Sequence, residues 1–181
     1  METRNLVRIA LLAAFIAALG LLPRLDLPIA AGVPITAQTL GVMLAGLLLG
    51  ARNGALAVAL FLFVVALGAP FLSGGRGGVG VFFGPTAGYL VGWVLGAFAT
   101  GWLMGALPLQ SRLARALIAS LVGGVLVIYA FGIPYLAFAA RLDLWKALVA
   151  GSVFLPGDVL KAVAAALLIR SLPEKGYSQR P

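Results

Sequence analysis

The 181 residues are 62% hydrophobic and 10% charged, with a mean hydropathy of +1.12, against the roughly 25% charged of an ordinary soluble domain. The composition is that of an all-α, polytopic membrane protein. The net charge of +8 does not indicate nucleic acid, because the thirteen Lys and Arg residues punctuate apolar runs instead of forming one polar patch, and the absence of Cys and His excludes thiolate and imidazole chemistry and the softer metal ligands.

The first apolar run, residues 6–22, follows Arg4 and Arg8. It reads as an uncleaved first helix and not as a signal peptide, since further apolar spans follow it and no soluble domain does. Small residues recur in it every fourth position: Ala10, Ala14 and Ala18 form one line, Ala13 and Ala17 another. Such lines let helix backbones approach closely in lipid, inside the chain's own bundle or against another membrane protein. Residues 23–34, with Pro23, Pro28 and Pro34, predict a connector of two proline turns. Thr36, Gln38 and Thr39 then stand at the mouth of a short second span that runs to Gly50. Two of these three serve to start the helix, while the Gln38 amide, both donor and acceptor, also suits a neutral amide-like ligand.

Residues 51–54, Ala-Arg-Asn-Gly, predict a tight basic turn before a third span at 55–67. Residues 68–85 are at once glycine-rich and aromatic, carrying Phe71, Phe82, Phe83 and Arg76. Glycines permit close backbone approach to a ligand, the Arg76 guanidinium suits a carboxylate, and the phenylalanines favour a lid over the bundle mouth, where a plain linker would be Gly/Ser-rich. The fourth span, 86–107, has Gly88, Gly92 and Gly96 four apart, another close-packing line. Tyr89 and Trp93 lie on an adjoining face; membrane-interface anchoring is the ordinary role of such aromatics and fits Trp102, while Tyr89, beside the lid, fits an inward phenol equally well.

The fifth span, 116–139, is interrupted on paper by Gly132-Ile133-Pro134-Tyr135. A short amphipathic surface segment begins at 141–146. The last span follows Leu155-Pro156-Gly157-Asp158-Val159-Leu160-Lys161. Pro156 is harmless in a first helical turn, Asp158 complements the helix N-terminus, and Lys161, three residues on, projects from nearly the same face. Ionisable groups at membrane depth usually face a cavity and serve function; the alternative is an N-terminal cap with a snorkelling lysine.

Six spans in a single domain, 1–181, put both termini on one side. The bases then divide 8 to 5 in favour of that side, which the positive-inside rule makes cytoplasmic. The glycine-rich loop, Tyr89 and the Asp158/Lys161 pair converge at the opposite, outer end. A pocket there, with apolar walls and few charges, suits a small amphiphile bearing one carboxylate; Mg²⁺ would need more carboxylates. No phosphate-binding loop occurs, so the chain is not expected to hydrolyse ATP.

Four ordered stretches, 33–41, 74–80, 84–89 and 155–161, together resemble the BioY family, the biotin-specific substrate-binding components of energy-coupling factor transporters. The resemblance implies a multi-pass protein of the bacterial inner membrane that binds biotin and has no cofactor. It further implies partners: a transmembrane coupling protein (T component), docked on the helix 1 alanines Ala10, Ala14, Ala18, Ala13 and Ala17, and a pair of ABC-type ATPases. Carried onto this sequence, Asp158 and Lys161 become polar ligands to biotin, supported by Tyr89 and Arg76; Gln38 and Thr36, at the mouth of the second span, complete the substrate-binding set expected from the residues themselves. The competing reading is an autonomous proton-coupled carrier with Asp158 as relay, although no convincing inverted repeat is present. An intramembrane hydrolase lacks the paired acids or activated nucleophile it would need.

Overall fold

The computed structural model describes residues 2–23 and 36–173. Most of the expected proline connector and the tail from 174 onward lie outside the described residues. The elements are α1 (Thr3–Gly20), α2 (Gln38–Ala66), α3 (Ala87–Ala106), α4 (Arg112–Leu121), α5 (Ile128–Ala139), α6 (Leu144–Ser152) and α7 (Leu155–Ser171). A 3₁₀ turn at Val79–Phe82 precedes α3, and a π-helical segment, Val122–Val127, joins α4 to α5. Among the described residues, four helical stretches are long and apolar enough to cross a membrane, or five if the pair α6–α7, bent by 48°, is counted as one span.

α2 is not one straight rod. As a straight helix its 29 residues would measure about 43 Å, yet the Ser73 backbone N–H donates to the Gln38 side chain, and residues 67–73 fully extended reach only about 25 Å. The reversal is at Gly50, whose φ of 78° and ψ of 180° leave helical geometry in a region that glycine enters without steric cost. A Cβ on Gly54 would lie 2.7 Å from the Ala45 carbonyl oxygen, so the legs 38–49 and 51–66 touch beside the turn. Among the described residues, the hairpin turns the count of long stretches into six helical passes. It also corrects the expected loop at 51–54: these residues already belong to the second leg, because one glycine suffices for the reversal. The first leg rises only about 18 Å, short of a hydrocarbon core of roughly 30 Å; Gln38 at its start is fully buried, sunk into the bundle instead of lying at its rim.

α3 is the central post. Its glycine line is used inside the bundle: a Cβ on Gly88, Gly92 or Gly96 would come within 2.6–2.9 Å of the backbone oxygens of Phe131, Ile128 and Gly123, so α3 presses directly on α5 and the π segment. The expected interruption at Pro134 is absent; α5 runs helical through Pro134 to Ala139. Proline there costs one donor, which neighbouring helices in a bundle make tolerable. The irregularity lies upstream, at 122–127, where Gly123 and Gly124 allow close contact with Thr100 and Met43. α6 begins, as expected, in an exposed amphipathic segment: Asp143 caps it by accepting from the Lys146 N–H (2.9 Å). That hydrogen bond, first among the causes, holds the Asp143 carboxyl below its usual value. Large apolar side chains such as Leu11, Phe63, Trp102, Leu126 and Phe138 point outward, as a lipid-facing surface requires.

Candidate functional site

α7 opens with Pro156 in its first turn, where no N–H is needed. Asp158 follows on the buried face, 4% exposed. Its own N–H continues the helix by donating to the Phe154 carbonyl (2.9 Å), and its side chain turns inward and does not cap. Lys161 Nζ (2.8 Å) and Thr39 Oγ1 (2.9 Å) both donate to Asp158 Oδ1, and the Tyr129 hydroxyl donates to Oδ2 (2.7 Å). Lys161 Nζ also donates to Thr39 Oγ1 (3.0 Å). Thus α2, α5 and α7 each contribute a group to one buried carboxylate, which offsets the desolvation that makes buried ions costly. A carboxylate offers about four lone-pair sites and an ammonium three donors. Three sites and two donors are occupied, leaving one acceptor position on Oδ2 and one N–H on Lys161.

Asp158 and Lys161 both line a cavity of about 60 Å³. It is lined by Thr36, Gln38, Thr39, Leu72, Arg76, Thr86, Tyr89, Leu90, Trp93, Ile128, Tyr129, Phe154, Asp158 and Lys161. All six residues expected from sequence, Asp158, Lys161, Tyr89, Arg76, Gln38 and Thr36, are brought together here. Aromatic and aliphatic walls with a few convergent polar groups are the usual make-up of a small-molecule site.

The six do different things. Tyr89 is 6% exposed, its hydroxyl has no hydrogen-bond partner among the described residues, and its ring stands edge-on to Tyr129 and to Phe154, both at 6.3 Å. A buried phenol without a partner is costly, and the cavity it borders is where a ligand group would satisfy it. Gln38 is already committed: its amide nitrogen donates to the carbonyls of Ile16 (3.2 Å) and Phe71 (3.0 Å), and its oxygen accepts from Ser73 N (3.1 Å). It clamps the end of α1 and the loop after α2 onto the start of α2. Thr36 accepts from the Gln38 N–H (3.3 Å), a helix-starting role. Arg76 is held in a small loop closed by paired Leu72 and Arg76 backbone bonds of 3.0 and 3.1 Å, with Nε donating to Ser73 O (3.4 Å). This loop buries Leu72 and Ser73 and packs Phe71 and Phe82 against the core, while Phe83 stays exposed.

Three contributors were not singled out as site residues in the sequence. Thr39 reads there only as a helix starter, Tyr129 is not marked at all, and Trp93, whose ordinary role there is interface anchoring, is buried in the cavity wall. Trp102, 59% exposed, does fit anchoring. A hydroxyl in mid-span, as at Tyr129, is the signal that would have served. Of the helix 1 alanines, Ala10, Ala14 and Ala18 face outward, whereas Ala13 is buried in the core and Ala17 packs partly against it. The second line therefore serves the chain's own bundle. Among the described residues no cluster of three metal-binding side chains occurs.

Residues 1–176 match the model of the BioY family. The chain is 56% identical over 180 residues to a biotin transporter BioY of Rhizobium etli, covering 95% of this chain and 94% of the relative. It is 44% identical to a biotin transporter BioY of Rhodobacter capsulatus, covering 94% of each. Its fold superposes with a TM-score of 0.85, at 34% identity and over 93% of this chain and 90% of the other, on the crystal structure of the S-component for biotin from an ECF-type ABC transporter.

Proposed function

The chain belongs to the BioY family, and on that premise we propose that it is a biotin-binding membrane subunit that takes up biotin with energy supplied by partners. Its relatives are transporters, not enzymes. The observation that carries the reading is the Asp158–Lys161 pair, buried and braced by Thr39 and Tyr129, with one acceptor and one donor left beside an aromatic cavity. A ligand such as biotin, with an amide-like ring and a carboxylate on an apolar stem, has groups to complete both. In this reading Asp158 and Lys161 bind biotin directly, Tyr89 and Arg76 support them, and Gln38 and Thr36 hold the mouth in shape. The outward line Ala10, Ala14 and Ala18 docks a transmembrane coupling protein, which links the chain to ABC-type ATPases. Both termini face the cytoplasm of a bacterial inner membrane: among the described residues, Arg4, Arg8, Arg52, Arg112, Arg115 and Arg170 belong to that side, against Arg76, Arg141, Lys146 and Lys161 on the other.

The competing reading, a carrier that uses Asp158 as a proton relay, predicts uptake by this chain alone that collapses with the proton gradient. The test is biotin accumulation in cells without their own uptake system, expressing the chain with and without coupling partners, before and after an uncoupler. Stimulation by the partners that survives the uncoupler is the expected result. Partner-independent uptake abolished by the uncoupler would replace this reading with the carrier.

A further inference from the structure

Lys161 and Thr39 both sit on Oδ1 of Asp158; Oδ2, the oxygen with a valence to spare, is held by Tyr129. Tyr129 reaches it because of the segment just upstream. In the π-helical stretch Val122–Val127 the chain carries an extra residue relative to an α-helix, which turns everything after it by roughly 100°. Gly123 and Gly124 seat that stretch against Thr100 and Met43, and Ile128 then packs on Gly92 and Gly96 of α3. Tyr129, one residue later, is thereby directed toward α7. Its ring is steadied edge-on by Tyr89, so the hydroxyl arrives with little freedom left to lose.

We propose that Tyr129 is a positioning residue for ligand binding, acting through Asp158: its hydroxyl fixes Oδ2 so that the remaining lone pair faces the cavity and accepts an N–H of the ligand. This rests on the reading of Asp158 as a ligand-binding group. Lys161 and Thr39 neutralise and tether the carboxylate, but from one oxygen only, and leave its plane free to swing. The Tyr129 hydroxyl is the third point that stops it. A ligand presenting an acceptor at Oδ2 meets repulsion; one presenting a donor finds the oxygen already aimed.

The experiment is a double-mutant cycle read by biotin titration of the purified chain, joined to infrared spectroscopy of protein labelled with ¹³C-carboxyl aspartate. Tyr129→Phe keeps the ring and removes the hydroxyl. It is expected to weaken biotin binding roughly tenfold in the native background and by less than about twofold when Asp158→Asn is already present. The chain has three aspartates, Asp26, Asp143 and Asp158, so the Asp158 carboxylate band is identified by its loss in Asp158→Asn; it is expected to shift in Tyr129→Phe without any ligand. Equal losses in both backgrounds, or an unmoved band, would overturn the proposal. Native affinity in Asp158→Asn would instead overturn the pocket assignment itself, and the infrared band still decides whether Tyr129 holds the carboxylate.

Discussion

The chain contains the same short pattern twice, aspartate followed three residues later by lysine, and uses it in opposite ways. Asp143 and Lys146 sit at the start of α6 with side chains 52% and 72% exposed and 3.1 Å apart. Asp158 and Lys161 sit at the start of α7 with side chains 6% and 17% exposed and 2.8 Å apart. At the first pair the carboxylate turns back to cap its own helix, and water screens what remains. At the second it turns into the bundle, takes hydrogen bonds from two other helices and does not cap at all. Spacing alone sets which face a pair shares. What the neighbouring helices place opposite that face decides whether the pair is a local stabiliser or a binding site.

Substitutions can break this contrast. The largest effect is expected at the buried pair: Lys161→Ala leaves a carboxylate without its counter-ion in the bundle, a change that costs about 3–5 kcal/mol at buried pairs. Biotin binding should fall by at least roughly 100-fold in Lys161→Ala and in Asp158→Asn, measured in detergent on protein whose gel-filtration profile is unchanged. Gln38→Ala comes next. It removes three hydrogen bonds that tie α1 and the Leu72–Arg76 loop to α2, and buried groups left without partners cost about 1–3 kcal/mol each. Thermal unfolding should shift down clearly, with weaker binding following from the loosened loop. Ala14→Leu together with Ala18→Leu, on the outward face of α1, should leave biotin affinity unchanged while reducing copurification of a coupling protein; lost affinity would place that line in the bundle.

The smallest effect is expected at the exposed pair. Lys146→Ala should leave thermal stability nearly unchanged, as expected of a solvent-screened pair, and binding not at all. The cap gives a pH signature of its own. Because the Asp143 carboxyl is held below its usual value, its contribution is present above the ordinary carboxylate range and is lost as pH falls through the depressed value. Asp143→Asn should remove that acid sensitivity from the melting curve. A binding defect in either variant would erase the contrast between the two pairs.

Much of this was legible in the chain itself. Hydropathy separates the apolar spans, and the Asp158/Lys161 spacing together with the 74–80 and 84–89 stretches identifies the residues that converge. The Gly88, Gly92 and Gly96 line is recognisable as a packing seam, though not which helix closes on it. What local pattern does not carry is register. Nothing in Val122–Val127 announces a π-helical stretch, because its Gly123 and Gly124 matter only once Thr100 and Met43 lie against them. Its mid-span hydroxyl marks Tyr129, but its partner is hidden: the position opposite Asp158 depends on that extra residue. Gly50 escapes for a related reason, since Arg52 and Asn53 look like the turn while a single positive φ two residues before Arg52 makes it. Gln38 was placed at the site, but its role as a clamp needs the carbonyls of Ile16 and Phe71, far away in sequence.

The most direct measurement is a calorimetric titration of biotin into the purified chain and, side by side, into Asp158→Asn. Saturable binding by the native chain, with heat and affinity largely lost in the variant, is the predicted outcome. Identical isotherms for the two proteins would contradict the claim that the buried carboxylate is where the ligand is held.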